Sequence, residues 1–569
     1  MKKILSIIFL IFLFNQSKAQ TLEWIRNFGD ATPESLQAIA VDADGNCYVS
    51  GASNSFNPLD INPSNNPDDT FFVFNSNIGF AGGFVMRLDP NGNFIWGLEL
   101  DSAYAGGTDA AIDAQQNLIL IAGGSKTFIY KINSTNGDII SKKSIDVVFS
   151  SFYPTKLNIS SQGNILLGGL FRDTVDFDPG PNVFNLKTDE VSGSLFILKL
   201  DNNFNFIWVK EFKTIGSESA MGYIASDANE NIYATGYFQD NLDFDPSAAE
   251  YILSAEAVSD IYVFKIDVDG NFVWAKQFTT GPSGNGYNRG NAIAVNATGD
   301  IVVGGDFGNG SYSIIDFDLS SGTSNLESFG YNAFLLKLNT NGEFIWVKQI
   351  SNFDGCSSGI NSLKIDNGNN IICSGIFNET QDFDPGNGTL NLIAGTNNIL
   401  FDAFVMKVFP DGTLNWAQHV GKANNNDSEI QTFDLDINTS GEIYCAGMLK
   451  GATKTDTSFQ ITDVTAAGFN FDAFLFKIGD LTAGIQSFNT SKGLVRVYPN
   501  PTTSIVNIDF KTESKKIEID LYNLLGKKLF HQNINSTNYQ LDLSAFPSGT
   551  YFISVKTEKE NIFQKIVKQ

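Results

Sequence analysis

The sequence predicts an all-β fold, and three observations carry that prediction. A ten-residue phrase recurs along the chain: NGEFIWVKQI from Asn341 has near-copies NGNFIWGLEL from Asn91, NFNFIWVKEF from Asn203 and DGNFVWAKQF from Asp269. Short apolar runs alternate with Asp-x-x-Gly-Asn turns, in which Gly and Asn supply the positive backbone angles of tight hairpins. Composition agrees: 42% hydrophobic but only 17% charged residues, with 52 Gly and 49 Phe, describe a folded, turn-rich chain. At 569 residues the chain exceeds one ordinary core and requires several domains or a repeat array.

The amino terminus carries Lys2 and Lys3, an apolar run from Ile4 to Phe14, and Ser17-Lys18-Ala19 before Gln20. This predicts a secretory signal peptide over 1–19, cut between Ala19 and Gln20, with an apolar run too short to span a bilayer. No Cys follows the run, so no lipoprotein anchor is expected, and no later segment is apolar enough for a membrane helix.

The six tryptophans, Trp24, Trp96, Trp208, Trp274, Trp346 and Trp416, are separated by 72, 112, 66, 72 and 70 residues. The long gap hides a degenerate copy at STNGDIIS, with Ser141 in the Trp slot. A near-constant period marks a repeat architecture. Each period holds two hairpins, as in LQAIAVDADGNCYVSG from Leu36 and FVMRLDPNGNFIWGLEL from Phe84, and equivalent first turns begin at Asp42, Asp113, Ser160, Asp227, Asn296, Asp366 and Asn438. Four antiparallel strands repeated seven times predict a seven-bladed β-propeller over 20–480. The last copy stops after its third strand, at Asp472 to Asp480, whereas TLEWIRNF from Thr21 is an orphan fourth strand. Their pairing would complete the seventh blade. The tryptophans are expected to pack between sheets, with ligand stacking as the alternative. Blades written D..GN.Y..G.F and DAF..K.D..G...W resemble the secreted bacterial β-propeller repeat family, a resemblance that implies the fold and no particular activity.

Of the four cysteines, Cys373 and Cys445 occupy one repeat position and Cys47 lies two positions earlier in the same segment. This pattern predicts buried thiols rather than a disulfide framework. Cys356 falls in a loop, and its state is left open.

The segment between second and third strands is long, 33 positions from Gly51 to Phe84 and 27 from Gly169 to Phe196, but only four from Gly124 to Phe128. An elaborated loop face is where binding usually resides. Four of these loops carry Asp-Phe-Asp, at Asp176 and Asp178, Asp243 and Asp245, Asp316 and Asp318, and Asp382 and Asp384, with a weaker LDINPS at Leu59. In an extended segment the paired carboxylates point the same way, and hard oxygen ligands beside a Gly turn suit Ca²⁺. The alternative is that each Asp caps its own turn without metal, with Phe177, Phe244, Phe317 and Phe383 as anchors.

Enzymatic chemistry has few candidates. The two histidines, His419 and His531, offer no paired zinc motif, and His419, matched by Gln349, Gln277 and Glu211 in other copies, reads as a tolerated surface position. A carboxylate pair of the glycosidase type stays open. The net charge of −25 disfavours nucleic acid.

After Asp480 a linker over 481–495 leads to a segment of opposite charge, with 11 basic and 7 acidic residues from Ser491 onward. Its alternating strands and Asn-Pro and Ser-Gly turns predict a small Ig-like β-sandwich over 496–569. The module resembles the type A carboxy-terminal sorting domain of the type IX secretion system. The matching residues are Tyr498-Pro499-Asn500-Pro501, Asp520-Leu521-Tyr522-Asn523 running to Gly526, Leu543 with Pro547-Ser548-Gly549-Thr550-Tyr551, and Lys565-Ile566-Val567-Lys568. The resemblance implies export through the periplasm and across the outer membrane of a Gram-negative cell, with the type IX translocon and its sorting-domain peptidase as partners. It also implies attachment to surface lipopolysaccharide, or release. The expected function is binding or adhesion to a glycan or protein through the long-loop face. The alternatives are a carbohydrate-active hydrolase or lyase and a structural surface-layer component.

Overall fold

Each copy of the recurring phrase forms the fourth strand of a four-stranded antiparallel sheet in the computed structural model. The structure describes residues 21–568 apart from 30–32, 54–56, 64–68, 74–81, 101–106, 124–125, 146–151, 189–191, 282–285, 311, 351–354, 395–399, 422–428, 451, 454–463, 466–470, 480–494, 499–501, 511–516, 524–527, 537, 548 and 557–560. The expected signal peptide, the Ala19–Gln20 junction and nearly all of the linker lie outside the described residues.

Seven such sheets occur among the described residues up to Gly479, each running from first to fourth strand in the order that follows. Sheet one is Glu34–Val41, Cys47–Ser53, Gly82–Leu88 and Phe94–Glu99; sheet two is Gly107–Ile112, Asn117–Ala122, Thr127–Asn133 and Ile139–Ile145. Sheet three is Phe152–Ile159, Ile165–Phe171, Ser194–Leu200 and Phe206–Phe212; sheet four is Ser219–Ser226, Ile232–Phe238, Asp260–Ile266 and Phe272–Phe278. Sheet five is Arg289–Val295, Ile301–Gly308, Tyr331–Leu338 and Phe344–Ile350; sheet six is Ser358–Ile365, Ile371–Phe377, Asp402–Val408 and Leu414–Val420. Sheet seven is Glu429–Ile437, Ile443–Lys450, Phe471–Gly479 and, from the other end of the chain, Thr21–Phe28. The orphan strand thus pairs where the sequence predicts, with Trp24 opposite Lys477 and Phe28 opposite Ala473. In sheet two Ser141 stands opposite Lys131, the place that Trp208 takes opposite Lys199.

First strands pack against one another in succession, and that of sheet seven packs against that of sheet one. Each has a one-residue irregularity against its second strand, such as Ile360/Ser362, which twists the strand and re-aims its side chains. The two hairpins of each sheet define a tight-turn end, and the segments joining second to third strands define a long-loop end.

Neighbouring sheets are tied by a repeated contact. Trp96 Nε1 donates to Ser134 O of the next sheet at 3.0 Å, and Arg87 donates to the same oxygen at 3.0 Å. Trp274 and Lys265 share Thr340 O at 3.3 and 3.4 Å, and Trp346 and Lys337 share Pro410 O at 3.2 and 3.3 Å. Between sheets seven and one, Trp24 and Lys477 share Pro90 O at 2.9 and 3.3 Å. The turn that offers this oxygen must be slim: a Cβ on Gly92 (φ 76°) would sit 2.8 Å from the Trp24 ring, and one on Gly137 (φ 79°) 2.9 Å from that of Trp96. The tryptophans are therefore packing and hydrogen-bonding groups between sheets, not stacking platforms for a ligand.

First turns add a second tie between sheets three and four. Glu230 accepts from Ser161 Oγ, Gln162 N–H and Asn164 Nδ2, each at 3.0 Å, and pairs with Lys199 at 3.2 Å. Burial alone raises the Glu230 carboxyl, but hydrogen bonds from Ser160, Asn164, Gln162 and Ser161 outweigh it and hold it at about 2.

Residues Leu481–Gln569 form a separate compact unit. Two antiparallel sheets, Val495–Tyr498 with Ile505–Phe510 and Asn538–Asp542, and Lys528–Ile534 with Ile517–Asn523, Gly549–Lys556 and Asn561–Lys568, share a core that includes Ile508, Leu541, Leu521 and Ile553. No helix among the described residues is long and apolar enough to cross a membrane.

Two expectations follow. Trp24→Ala removes ring burial and the bond to Pro90 O, a loss of about 3–5 kcal/mol, so a lowered thermal midpoint is expected; an unchanged one would mean that sheet seven is held by other contacts. The depressed Glu230 carboxyl stabilises the fold above its unfolded pKa, and that contribution disappears as pH falls from 4.5 towards about 2. Glu230→Gln should lower the midpoint at neutral pH and flatten its decline across that acid window, as melts at stepped pH would show.

Candidate functional site

The Asp-Phe-Asp segments start as strands and end as turns. Asp176 is the last residue of Thr174–Asp176, which pairs with Asn185–Lys187, so the extended geometry stops before Asp178. Asp176 Oδ1 accepts the N–H groups of Asp178 at 3.1 Å and Phe184 at 2.8 Å, and Asp178 Oδ1 accepts that of Gly180 at 2.7 Å. The pattern repeats: Asp243 accepts from Asp245 and Tyr251, Asp316 from Asp318 and Ser324, and Asp382 from Asp384 and Leu390. Asp245, Asp318 and Asp384 likewise accept from Ser247, Ser320 and Gly386, and Asp60 of the weaker motif accepts from Asn62 and Phe71. Among the described residues no three His, Cys, Asp or Glu side chains are grouped to hold an ion.

The intervening phenylalanines point inward, and Phe177, Phe244, Phe317 and Phe383 are wholly buried. Each belongs to one hydrophobic cluster with the end of the preceding sheet's fourth strand: Phe177 with Ile145, Phe244 with Phe212, Phe383 with Ile350, and Phe317 with Phe278 at 5.4 Å between ring centroids. The phenylalanine of each loop is thus core, whereas the turns that follow it, 181–185, 247–252 and 319–323 among them, are exposed.

Along the first strands one register position, just after each irregularity, carries Ala38, Asp109, Lys156, Tyr223, Ala292, Ser362 and Asp434. Asp109 accepts Leu157 N–H at 2.7 Å, Asp434 accepts Ile39 N–H at 3.1 Å and Ser362 Oγ at 3.0 Å, and the Lys156 ammonium lies 4.6 Å from the Tyr223 ring. Two residues further on, Lys364 pairs with Asp436 at 3.3 Å. Burial lifts the Asp109 carboxyl to about 6 despite the attraction of Lys156. Burial alone lowers Lys364, but Asp436, Tyr223, Asp434 and Asp109 outweigh it and keep the ammonium well above its ordinary range. This charged layer satisfies itself and ties first strands together across sheets.

Recesses of about 300 and 280 Å³ lie at the tight-turn end, the first lined by Asp42, Ile112, Asp113 and Thr439, the second by Asp366, Lys407 and Asn438. Their carboxylates are engaged: Asp42 accepts from Asn46 and Tyr48, Asp113 pairs with Lys131 at 2.8 Å, and Asp366 with Lys407 at 2.9 Å.

The long-loop end differs. The register position at the start of the first strands carries Ser35, Tyr153, Ala220, Arg289, Gly359 and Gln431, and Tyr237 stands opposite Ala220. Tyr153 and Arg289 are exposed. The Arg172 guanidinium lies 5.7 Å from the Tyr153 ring centroid and that of Arg289 5.9 Å from Tyr237. The sequence reading missed this cluster, although the scarcity of arginine was a signal: only Arg26, Arg87, Arg172 and Arg289 precede residue 480.

His419 corrects an expectation. It is buried, 6% exposed, and its Nε2 lies 2.8 Å from Asp402, so it is an internal polar pair and not a surface position. Gln277, its counterpart in sheet four, reaches Asp260 in the same way at 2.7 Å. All four cysteines are buried free thiols, Cys356 included, and burial pushes the Cys47 thiol up to about 12.

In the second unit Tyr551 is buried and donates to Pro547 O at 2.6 Å, Gly549 opens its strand, Lys565 stands opposite Phe552, and Tyr498 donates to Asp509 at 2.7 Å from an exposed position. Pro499, Asn500, Pro501 and Gly526 lie outside the described residues.

A family model described as a secretion system C-terminal sorting domain matches residues 496–569. The chain is a secreted protein of the type IX route, with propeller-like sheets ahead of a module that the export machinery engages, and its destination is the cell surface or the exterior. An uncharacterized WD repeat-containing protein, L264, of Acanthamoeba polyphaga mimivirus is 24% identical over 489 residues, 75% of this chain; the match spans about a third, 32%, of that relative. BamB from Moraxella catarrhalis aligns at 12% identity and a TM-score of 0.35, over 80% of this chain and 99% of its own. PorZ, a surface component of the type-IX secretion system of Porphyromonas gingivalis, aligns at 10% identity and a TM-score of 0.15, over 96% and 100%.

Asp176→Ala strands two loop N–H groups and is expected to cost about 1–3 kcal/mol. The midpoint should fall for this variant, and calcium or chelator should leave the wild type unchanged. A calcium-dependent rise would instead assign the carboxylates to a metal.

Proposed function

We propose that the seven sheets close into a seven-bladed propeller, that the second unit is an Ig-like sandwich read and removed by the type IX machinery, and that the exported propeller is a non-enzymatic binding or adhesion module. Ring closure is supported by the pairing of Thr21–Phe28 with Phe471–Gly479 and by the contact between the first strands of sheets seven and one. The observation that carries the binding reading is the distribution of polar groups. Aspartates that recur along the chain are tied into turns and ion pairs, whereas Tyr153 and Arg289 stand exposed at the long-loop end of the axis. The third strand of sheet seven leaves at the opposite, tight-turn end, where Ile478 pairs with Ile443 beside the first turn. Attachment to surface lipopolysaccharide through the chain's carboxy-terminal side would leave the long-loop end available to a glycan or protein.

Removing 496–569 should hold the protein in the periplasm, as fractionation would show. The purified mature protein, added to cells lacking its gene or to isolated extracellular matrix, should be retained without releasing reducing sugars or unsaturated products. Sugar release would favour the hydrolase or lyase reading, and absence of retention would contradict adhesion.

A further inference from the structure

The long-loop end of the axis has a composition that the fold does not demand. Position for position, where sheet three has Tyr153 and sheet five has Arg289, sheets one, four, six and seven have Ser35, Ala220, Gly359 and Gln431. A packing requirement would select one type of side chain around the ring, as it does for the wholly buried Phe177, Phe244, Phe317 and Phe383.

The arginines sharpen the point. In a chain of net charge −25, four arginines precede residue 480. Arg26 and Arg87 are spent on carbonyls of the neighbouring sheet, Gly92 O and Ser134 O. The other two, Arg172 and Arg289, lie over the rings of Tyr153 and Tyr237, with Arg172 Nε also donating to Ser192 O at 3.4 Å. A guanidinium lying against an aromatic face keeps N–H groups at its edge, where they match a carboxylate bidentately. An exposed tyrosine presents a flat, electron-rich face that accepts the C–H side of a sugar ring. Tyr153 is 37% exposed, and the Tyr237 hydroxyl donates to Glu218 at 3.3 Å, which orients its ring.

We propose that these two tyrosine–arginine pairs, on sheets three to five, form a binding site for an acidic polysaccharide, a chain of sugars that bear carboxylates. The inference rests on the binding reading above and names its ligand class. Between Tyr153 and Arg289 the intervening sheet carries the small Ala220 at the same register position. An extended, ring-bearing polymer can lie across it with a sugar on each tyrosine and a carboxylate at each guanidinium. Glu218, bonded to Tyr237, and Asp306, opposite Arg289, sit beside the second pair and oppose a bare polyanion, so aromatic stacking and charge pairing are both required.

The test uses the full mature chain with polygalacturonate as the probe, and dextran and poly-L-glutamate as comparators, read by affinity electrophoresis and titration calorimetry. Polygalacturonate is expected to bind, with dextran and poly-L-glutamate much weaker. Arg172→Gln and Arg289→Gln should each weaken binding by about tenfold, the scale of one lost charged hydrogen bond, and Tyr153→Ala should weaken it through the lost ring face; the exposed Arg289→Gln should do so with an unchanged thermal midpoint. Equal binding of poly-L-glutamate would make the ligand an acidic peptide and overturn the proposal. Equal binding of dextran, or variants that bind as wild type does, would overturn it too. If none of the polymers bind but the protein is still retained on cells, the acidic polysaccharide is wrong and adhesion stands; loss of both contradicts both.

Discussion

A backbone carbonyl in the outer turn of one sheet, gripped by a tryptophan N–H and a buried cation of the preceding sheet, is the contact on which the rest of the first unit depends. Four of these grips share a single oxygen between the two donors, among them the one joining the end of the repeat array to its beginning. A charged donor and an indole on one acceptor fix both the spacing and the rotation of neighbouring sheets. A buried cation needs that oxygen as much as the sheets need the cation, since leaving it unpaired is costly. This explains why the phrase repeats with its Trp and with Lys or Arg opposite it across the strand pair.

Sheets held at that spacing leave a gap between neighbours. The Asp-Phe-Asp loops fill it: the phenylalanine enters the gap and the first aspartate closes the loop by accepting two backbone N–H groups. The same side-chain chemistry serves the tight turns, where Asp42, Asp113, Asp227 and Asp366 cap N–H groups two and four residues on. The acidic composition is to this extent a record of turns.

Much of the fold was legible because its signals are local. The tryptophan period, the Ser141 slot of the degenerate copy and the orphan strand TLEWIRNF are each readable within a few residues, and the structure pairs them accordingly. The burial of His419 was not legible, because its partner Asp402 lies on another strand and its counterparts in other copies are ordinary polar residues. In the Asp-Phe-Asp loops the phenylalanine anchors and the capping by each first aspartate were readable as one of two alternatives, because both are local. The axial charged layer and the tyrosine–arginine pairs depend on register between sheets, so residues as distant as Asp109 and Asp434, or Tyr237 and Arg289, meet only when the array is assembled.

The central claim is that the chain's first strand is an integral fourth strand held by the same grip as the others. Amide hydrogen exchange of the mature protein tests it most directly. The account predicts that bonded amides in Thr21–Phe28 are protected to the same degree as those in Phe344–Ile350. Free exchange of Thr21–Phe28 beside six protected fourth strands would contradict it.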